Sequence, residues 1–240
     1  MQGYTRHKLK EDKFAERTKD AVEWTAGHQR TVSWVIGVIV VAALAIFGFM
    51  TWYGRQNDAA NAALGSAMRT LTAQLRPAGI TATPDNKDTF GSVAERAQAA
   101  EKEFKSAADQ FDRFPYPKAG RIARYMEGVT AVEAGDSGAE QILKGVTGSR
   151  DANVASLGKM SLAALYRSSN RQADAVRIYK DLQDHPTDTV SKVQAQLEMA
   201  EMYENTDPQQ AANIYTQIQK DNSPQSPAAQ IAATKLAGTK

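Results

Sequence analysis

The amino-acid sequence predicts an all-α protein with a single N-terminal transmembrane helix followed by a short helical solenoid. Three observations lead to this fold class. Residues 31–53 form one long apolar run without a charged side chain. The remainder is dominated by Ala, Glu, Gln and Lys and lacks the alternating β-branched runs that are typical of strands. A pattern of small and aromatic residues then recurs with a spacing of 36 residues, which indicates stacked helix pairs.

The composition excludes several classes of protein before any motif is considered. The chain has 240 residues, which is room for one or two domains, and its net charge of +2 gives no support for nucleic-acid binding. It has no cysteine, which excludes disulfides and thiolate metal sites, and its three histidines are far apart. The sequence carries no nucleotide-binding, metalloprotease or serine-hydrolase motif. We therefore expect no enzymatic activity, cofactor, metal, nucleic-acid partner or small-molecule substrate.

Residues 1–30 precede the apolar run and form a leader. Between residues 9 and 28, Phe14 and Val22 share one face of a predicted helix, while charged residues such as Lys13 lie away from it. Two interpretations stay open. The leader is either an amphipathic helix that lies on the inner leaflet or on a partner, or a solvated segment that only fixes the topology.

Residues 31–53 are predicted to be the transmembrane helix. At about 1.5 Å per residue the run is about 34 Å long, enough to cross a hydrocarbon core of about 30 Å with some tilt. Trp34 near one end, and Trp52 and Tyr53 at the other, are predicted membrane-interface residues because amphipathic rings favour the headgroup region. A cleaved signal peptide has a shorter apolar region behind a short basic start, so this run is interpreted as an uncleaved anchor.

The basic residues on either side of this run predict its orientation. Seven Lys and Arg lie in residues 1–30, whereas the twenty residues after Tyr53 hold only Arg55 and Arg69. Because basic flanks stay in the cytoplasm, we expect the N-terminus inside and the C-terminal part outside. In a bacterium this predicts a single-pass inner-membrane protein with residues 54–240 in the periplasm.

Two further segments are predicted after the span. Residues 54–90 are a helical stalk and a loop, since the stretch from Asp58 to Arg76 is rich in helix formers and Pro77 to Thr89 contains the Pro, Gly, Asn and Asp of a loop. Residues 91–240 are the repeat domain.

The repeat domain is defined by small and aromatic positions on its predicted helices. In the second helix of three pairs, a small residue is followed four positions later by leucine or tyrosine, and the first helices carry a related small–aromatic pair. The predicted repeat-packing residues are Ala139, Leu143, Ala163, Tyr166, Ala175, Tyr179, Ala200, Tyr203, Ala211 and Tyr215. The pattern is weaker in residues 120–150, where Glu127 stands at a position that calls for an apolar residue.

These residues resemble the tetratricopeptide repeat, a helix–turn–helix unit of about 34 residues. The resemblance implies a short right-handed solenoid with one concave face, closed by a last helix from Pro227 to Leu236. It also implies a partner-binding groove, suited to an extended peptide or a partner helix. The predicted groove residues are Leu157, Met160, Ala164, Arg167, Gln194, Leu197, Glu201 and Glu204.

The order of segments resembles the bacterial ancillary SecYEG translocon subunit family, the YfgM-like proteins. The resemblance rests on the span, on the repeats and on the alanine-rich stretch DAANAALGSAMRTL at residues 58–71. It implies a membrane-anchored periplasmic adaptor that lies beside the secretion translocon and works with a periplasmic chaperone. The alternative is a structural accessory subunit of another bacterial membrane complex, held by its groove, its span or its leader. Both interpretations predict protein partners and a lipid bilayer.

Overall fold

The computed structural model describes residues 27–77, 79–81, 83, 88–113 and 117–238, and the regular secondary structure in them is helical. The helices are α1 (Gln29–Leu71), α2 (Val93–Phe111), α3 (Lys118–Ala134), α4 (Ala139–Thr147), α5 (Ala152–Ser168), α6 (Gln172–Asp184), α7 (Lys192–Tyr203), α8 (Pro208–Asp221) and α9 (Pro227–Gly238). The prediction of an all-α chain is confirmed for the described residues. Most of the predicted leader, residues 1–26, lies outside them.

The chain forms two compact units, Met1–Arg55 and Gln56–Lys240. The described part of the first unit belongs mainly to α1, which is long and apolar enough to cross a membrane. None of its most apolar window is buried, and Trp34 is 71% exposed. Because each apolar side chain of this size gains about 1.5–3 kcal/mol on leaving water, this surface is suited to a hydrocarbon environment.

Aromatic residues lie near both ends of the apolar part of α1. The rings of Trp52 and Tyr53 lie 5.9 Å and 6.1 Å from the ring of Phe49, measured between centroids. Trp34 and Trp52 are about 27 Å apart along an α-helix, close to the thickness of a hydrocarbon core of about 30 Å. The helix continues to Leu71, so the predicted span and the first part of the predicted stalk form one continuous helix.

The helix ends earlier than the composition of the stalk predicts, at Leu71 and not at Arg76. The backbone of the following residues pairs with a segment just before α2. Arg76 N donates to Phe90 O at 2.7 Å, and Phe90 N donates to Gln74 O at 3.1 Å. The Arg76 side chain also donates to Thr89 O and lies 3.7 Å from Glu95 of α2. These contacts hold residues 74–76 extended, which ends the helix.

The second unit is a chain of helices in which each packs on the next. Ala60 and Ala67 of α1 are buried against alanines and phenylalanines of α2, including Phe104 and Phe111. The start of α3 approaches the end of α2 very closely. A Cβ atom placed on Gly120 would lie 2.1 Å from Phe111 O, so only glycine fits there.

Several helices of this unit begin at a side-chain cap. Ser92, Asp151, Ser191 and Asp207 each accept a backbone N–H of the helix that follows, which satisfies donors that have no partner within the helix. At the other end of α3, Gly135 adopts φ 74°, the left-handed conformation that favours glycine at a helix C-terminus. These local signals account for short connections and hence for the packing of consecutive helices.

Candidate partner-binding surface

The predicted repeat-packing residues lie together in the interior of the second unit. Nine of the ten are buried, with relative exposures of 6% or less, and Tyr203 is half-buried at the edge of two clusters. Ala175, Tyr179 and Leu143 share the largest cluster with residues of α7, while Ala211 and Tyr215 pack against Ala200 and α9. The residues that recur in the sequence thus occupy recurring positions between successive helices.

Three of the buried tyrosines differ in what their hydroxyl groups contact. Tyr166 donates to Glu140 Oε1 at 3.1 Å, and Tyr215 donates to Glu204 Oε1 at 2.7 Å. Tyr179, which is fully buried, has a hydroxyl without a hydrogen-bond partner among the described residues. Burial raises the pKa of Tyr179 to about 12. Its phenol is therefore neutral and its polar atom is desolvated.

Glu140 joins three helices. Its carboxylate accepts the hydroxyl of Tyr166 of α5, pairs with Lys144 at 2.7 Å, and pairs with Arg171, which precedes α6, at 2.8 Å. The Arg171 guanidinium also lies 4.0 Å from the centre of the Tyr166 ring, a cation–π contact. The hydrogen bond from Lys144, with that from Arg171, lowers the pKa of Glu140 to about 2.

The predicted groove residues of α5 are half-buried. Leu157 and Met160 pack against the largest core cluster, so part of their apolar surface is already covered. Ala164 lines a cavity of about 230 Å³ between α3 and α5. The other lining residues are Val129, Val132, Glu133, Ser161, Leu165 and Ser168. Val132 is 38% exposed, so this cleft combines an apolar wall with a polar rim.

The predicted groove residues of α7 are divided between the surface and internal contacts. Gln194 and Glu201 are exposed. Leu197 packs against the cluster that contains Tyr215, and Glu204 accepts the Tyr215 hydroxyl and pairs with Lys235 of α9 at 3.1 Å.

An ion pair connects the two helices that carry the predicted groove. Arg167 Nη1 of α5 lies 3.2 Å from Glu198 Oε2 of α7. Of the predicted groove residues, this contact involves Arg167 alone, and Glu201 also pairs with Lys235 of α9 at 3.8 Å. Ala164, which is half-buried, and Gln194, which is exposed, are the groove positions left for a partner.

The sequence analysis did not predict a partly buried ionic network around Arg124 of α3. Its guanidinium lies 2.5 Å from Glu127 Oε2, 2.6 Å from Asp109 Oδ1 and 3.4 Å from Asp112 Oδ2. Glu127 is 3% exposed, and burial raises its pKa despite the adjacent Arg124. This pairing explains why a glutamate occupies a position where an apolar residue is expected. Arg124 and Glu127 are three residues apart on one helix, and this spacing alone would have indicated an ion pair.

The same end of α3 lines a cavity of about 970 Å³. It lies where α2 ends, α3 begins, α4 ends and α5 begins. Its lining includes the four arginines Arg113, Arg121, Arg124 and Arg150, with Asp112 and Asp151 as the carboxylates. No residue of this cavity belongs to the predicted groove.

No protein-family model, curated protein or solved structure matches this chain. Within the part of the chain that the structure describes, no three His, Cys, Asp or Glu side chains come together as a metal site. The features that indicate a function therefore belong to the chain itself. One unit has an exposed apolar helix, and the other has paired helices with a cleft and an arginine-lined cavity.

Proposed function

We propose that this chain is a membrane-anchored periplasmic adaptor whose tetratricopeptide-like helical domain binds protein partners, beside the secretion translocon and together with a periplasmic chaperone. The observation that carries the proposal is the recurring burial of small and aromatic residues between consecutive helices, in a chain whose first helix also has a long apolar stretch without a buried residue. The first feature is typical of helical repeat proteins, which bind other proteins along extended surfaces. The second is typical of a membrane anchor.

The tetratricopeptide assignment is supported by equivalent contacts in successive pairs. Ala163 and Ala200 are both fully buried, as are Ala175 and Ala211 on the helices that follow. Four residues after Ala175 and Ala211 stand the buried tyrosines Tyr179 and Tyr215. Small residues at these positions allow two helices of a pair to approach closely, which is the packing that this repeat uses.

The partner-binding role is supported by the surface that α3, α5 and α7 present. The cleft at Ala164 has an apolar wall that includes the exposed Val132, and Glu133, Ser161 and Ser168 form its polar rim. An apolar anchor point with polar residues beside it suits a peptide or a helix. The placement beside the translocon comes from the resemblance of the segment order to the YfgM-like proteins.

Site-specific photo-crosslinking in intact bacterial cells tests the proposal. A photoreactive amino acid replaces Ala164 or Gln194 on the groove side, and as matched controls it replaces Arg177 or Lys180, which are exposed on α6. Translocon subunits or a periplasmic chaperone should crosslink from the groove positions and not from α6. A different membrane complex, recovered stoichiometrically and equally from all four positions, would reject the adaptor role in favour of the accessory subunit.

The surface can also be altered without disturbing the core. Arg167→Glu combined with Gln194→Lys changes charge on both groove helices, whereas Leu197 is unsuitable because it packs inside a cluster. The double variant should lose the groove crosslinks while its far-UV circular dichroism stays that of the parent chain. Undiminished crosslinking from Ala164 in this variant would remove the groove from the proposal.

The orientation has a test of its own. In spheroplasts, protease added from outside should degrade residues 54–240 and leave the N-terminal end protected. Protection of the C-terminal domain would mean that the orientation is reversed, and a periplasmic role would then be excluded.

A further inference from the structure

We propose that the cleft between α3 and α5 receives one apolar side chain of a helical partner segment, and that Glu133 at its rim pairs with a lysine or arginine one turn away on that segment. This inference rests on the proposed function as an adaptor for proteins, and it names the chemistry of the partner that this surface recognises. The cleft, which Ala164 also lines, is called the α3–α5 cleft below.

The size of the α3–α5 cleft fits a single side chain. Its volume of about 230 Å³ lies below the range of about 300–1,000 Å³ that is usual for pockets of small molecules and cofactors. Its wall is apolar, since Val132 is 38% exposed and Val129, Ala164 and Leu165 are half-buried. An aliphatic side chain placed against this wall removes apolar surface of both molecules from water, which is favourable.

The hydrogen-bonding groups of the cleft favour a helix over an extended chain. Its described lining residues all belong to α3 and α5, so most of their backbone groups are already paired within these helices. Ser161 Oγ donates to Tyr125 Oη at 3.3 Å, and Ser168 Oγ donates to Leu165 O at 2.9 Å. An extended peptide would find few partners here for its N–H and C=O groups, whereas a helix satisfies its own.

The charge of the rim selects a cation. Among the described residues, the lining has one carboxylate, that of Glu133, and no basic side chain. Glu133 is exposed, and it makes no hydrogen bond or ion pair within the part of the chain that the structure describes. A cation of a partner therefore has no internal competitor for this carboxylate.

The position of Glu133 on its helix points in the same direction. Glu133 lies in the last turn of α3, which holds no basic residue. Because the C-terminal end of a helix carries a partial negative charge, a carboxylate is unfavourable there and a cation is favoured. Asp136 adds a second negative charge just after the helix, where its Oδ1 accepts the N–H of Gly138 at 2.7 Å. A lysine or arginine bound at Glu133 would thus reduce the repulsion at this end of α3.

The arginines at the end of α5 are paired with other carboxylates. Arg167, adjacent to Ser168 in the sequence, lies 3.2 Å from Glu198 of α7. Arg171, just beyond α5, lies 2.8 Å from Glu140 and 2.9 Å from Asp174. Because these carboxylates balance their charges, the two arginines should repel an incoming cation only weakly.

The dimensions of the cleft set the spacing of the two side chains on the partner. The α5 side of the cleft runs from Ser161 to Ser168, about 10 Å along the helix axis. Two residues four positions apart on a partner helix lie on one face and are about 6 Å apart along its axis. A leucine and a lysine at this spacing can therefore reach the apolar wall and the rim together.

The test is a binding measurement with the full-length chain in phosphatidylcholine nanodiscs. The probe is a fluorescein-labelled helical peptide of about 18 residues, mainly alanine and glutamine, with leucine and lysine four positions apart. One reference peptide has glutamate in place of lysine, and a second has alanine in place of leucine. Fluorescence anisotropy should show binding of the leucine–lysine peptide, and either replacement should weaken it roughly fivefold to tenfold. Empty nanodiscs measure binding to lipid alone.

Variants locate the binding at the cleft. Glu133→Lys should reject the leucine–lysine peptide and bind the leucine–glutamate peptide, a reversal that a merely structural role of Glu133 would not produce. The matched control is Asp184→Lys, an equal change of charge at the exposed end of α6, which should leave both affinities unchanged. Ala164→Leu fills the cleft with a side chain of the protein itself and should abolish binding of the leucine–lysine peptide. Melting curves check that the three variants are folded.

Several results would overturn the inference. They are equal affinities for the leucine–lysine and leucine–glutamate peptides, equal effects of Glu133→Lys and Asp184→Lys, and binding no tighter than to empty nanodiscs. A change of oligomeric state in Ala164→Leu, measured by native mass spectrometry, would also overturn it, because a second copy of the chain would then be the occupant.

The inference and the adaptor proposal can fail separately. Crosslinking from Gln194, which does not line the cleft, tests whether the domain binds a partner beside the translocon. Such crosslinks without a preference for the leucine–lysine peptide would refute the inference and leave the adaptor proposal standing. A clear preference for this peptide, with crosslinks to a different complex, would refute the placement at the translocon and support the inference.

Discussion

The hydroxyl groups of Tyr179 and Tyr215 provide a matched pair for measuring what one hydrogen bond contributes to this fold. The two tyrosines are 36 residues apart at equivalent repeat positions, and both are buried. Tyr215 donates to Glu204, whereas Tyr179 has no partner among the described residues. The position in α5 that corresponds to Glu204 is Arg167, which cannot accept a hydrogen bond and is paired with Glu198. Phenylalanine at either site removes only the oxygen.

The two substitutions should change the free energy of unfolding in opposite directions. A hydrogen bond to a charged group is worth about 1.5–3 kcal/mol. Glu204 has 30% of its side chain exposed and keeps its pair with Lys235, so water and the lysine compensate in part. We therefore expect Tyr215→Phe to lower the free energy of unfolding by about 1–2 kcal/mol. Tyr179→Phe removes a desolvated, unpaired hydroxyl and should raise it by up to about 1 kcal/mol.

The assay is urea and thermal unfolding of the full-length chain in detergent, followed by far-UV circular dichroism. For a domain of this size each kcal/mol shifts the midpoint by about 2–4 °C, so the two variants should melt several degrees apart. A double-mutant cycle with Glu204→Ala, which removes the acceptor, isolates the coupling at Tyr215. If Tyr179→Phe destabilises the chain as much as Tyr215→Phe, its hydroxyl has a partner and the reasoning is refuted.

Three further predictions concern packing, pH and metals. Gly120→Ala places a Cβ atom 2.1 Å from Phe111 O and should destabilise the domain by at least about 1–3 kcal/mol. The control is Gly145→Ala, whose Cβ atom meets no atom within 4 Å and which should be neutral or stabilising. Thermal unfolding of the two variants measures the difference. NMR titration should find the pKa of Glu140 near 2, and Lys144→Gln should raise it. Because this pKa is depressed in the folded state, the stabilisation is complete above about 4.5 and is lost as the pH falls towards 2, so acid unfolding of Lys144→Gln should be less steep. Addition of EDTA should leave the melting temperature unchanged, and a fall would reveal a metal site.

The repeated positions could be predicted because their information is local and periodic. A small residue and an aromatic one, four positions apart on a helix, lie on the same face, and their recurrence indicates a common packing partner. Ala175 with Tyr179 and Ala211 with Tyr215 lie in the core for this reason. The long apolar run could be predicted for the same reason, and the structure shows it as part of one exposed helix that is long and apolar enough to cross a membrane.

Features that depend on contacts between residues far apart in the sequence could not be predicted in this way. The helix-forming composition before Pro77 predicted a helix to Arg76, but pairing with Phe90 ends it at Leu71. Leu197 was placed in the groove from the repeat phase alone, and the contacts that cover it come from a cluster shared with α8 and α9. The four arginines of the large cavity come from three separate stretches of sequence, so only the folded chain brings them together.

The close approach of α3 to its neighbours has a consequence for how the domain opens. Gly120 lies against the end of α2 and Gly128 against Leu143 of α4, and α3 also packs on α5. Separating α3 from the rest would therefore break contacts with three helices at once, whereas the described residues of α9 pack mainly on α8 and to a small extent on α7. Amide protons of α3 should exchange with solvent only through near-global unfolding, while those of α9 exchange through local opening. Binding of another molecule to α9 should therefore change the protection of its amide protons more than binding to α3 changes those of α3.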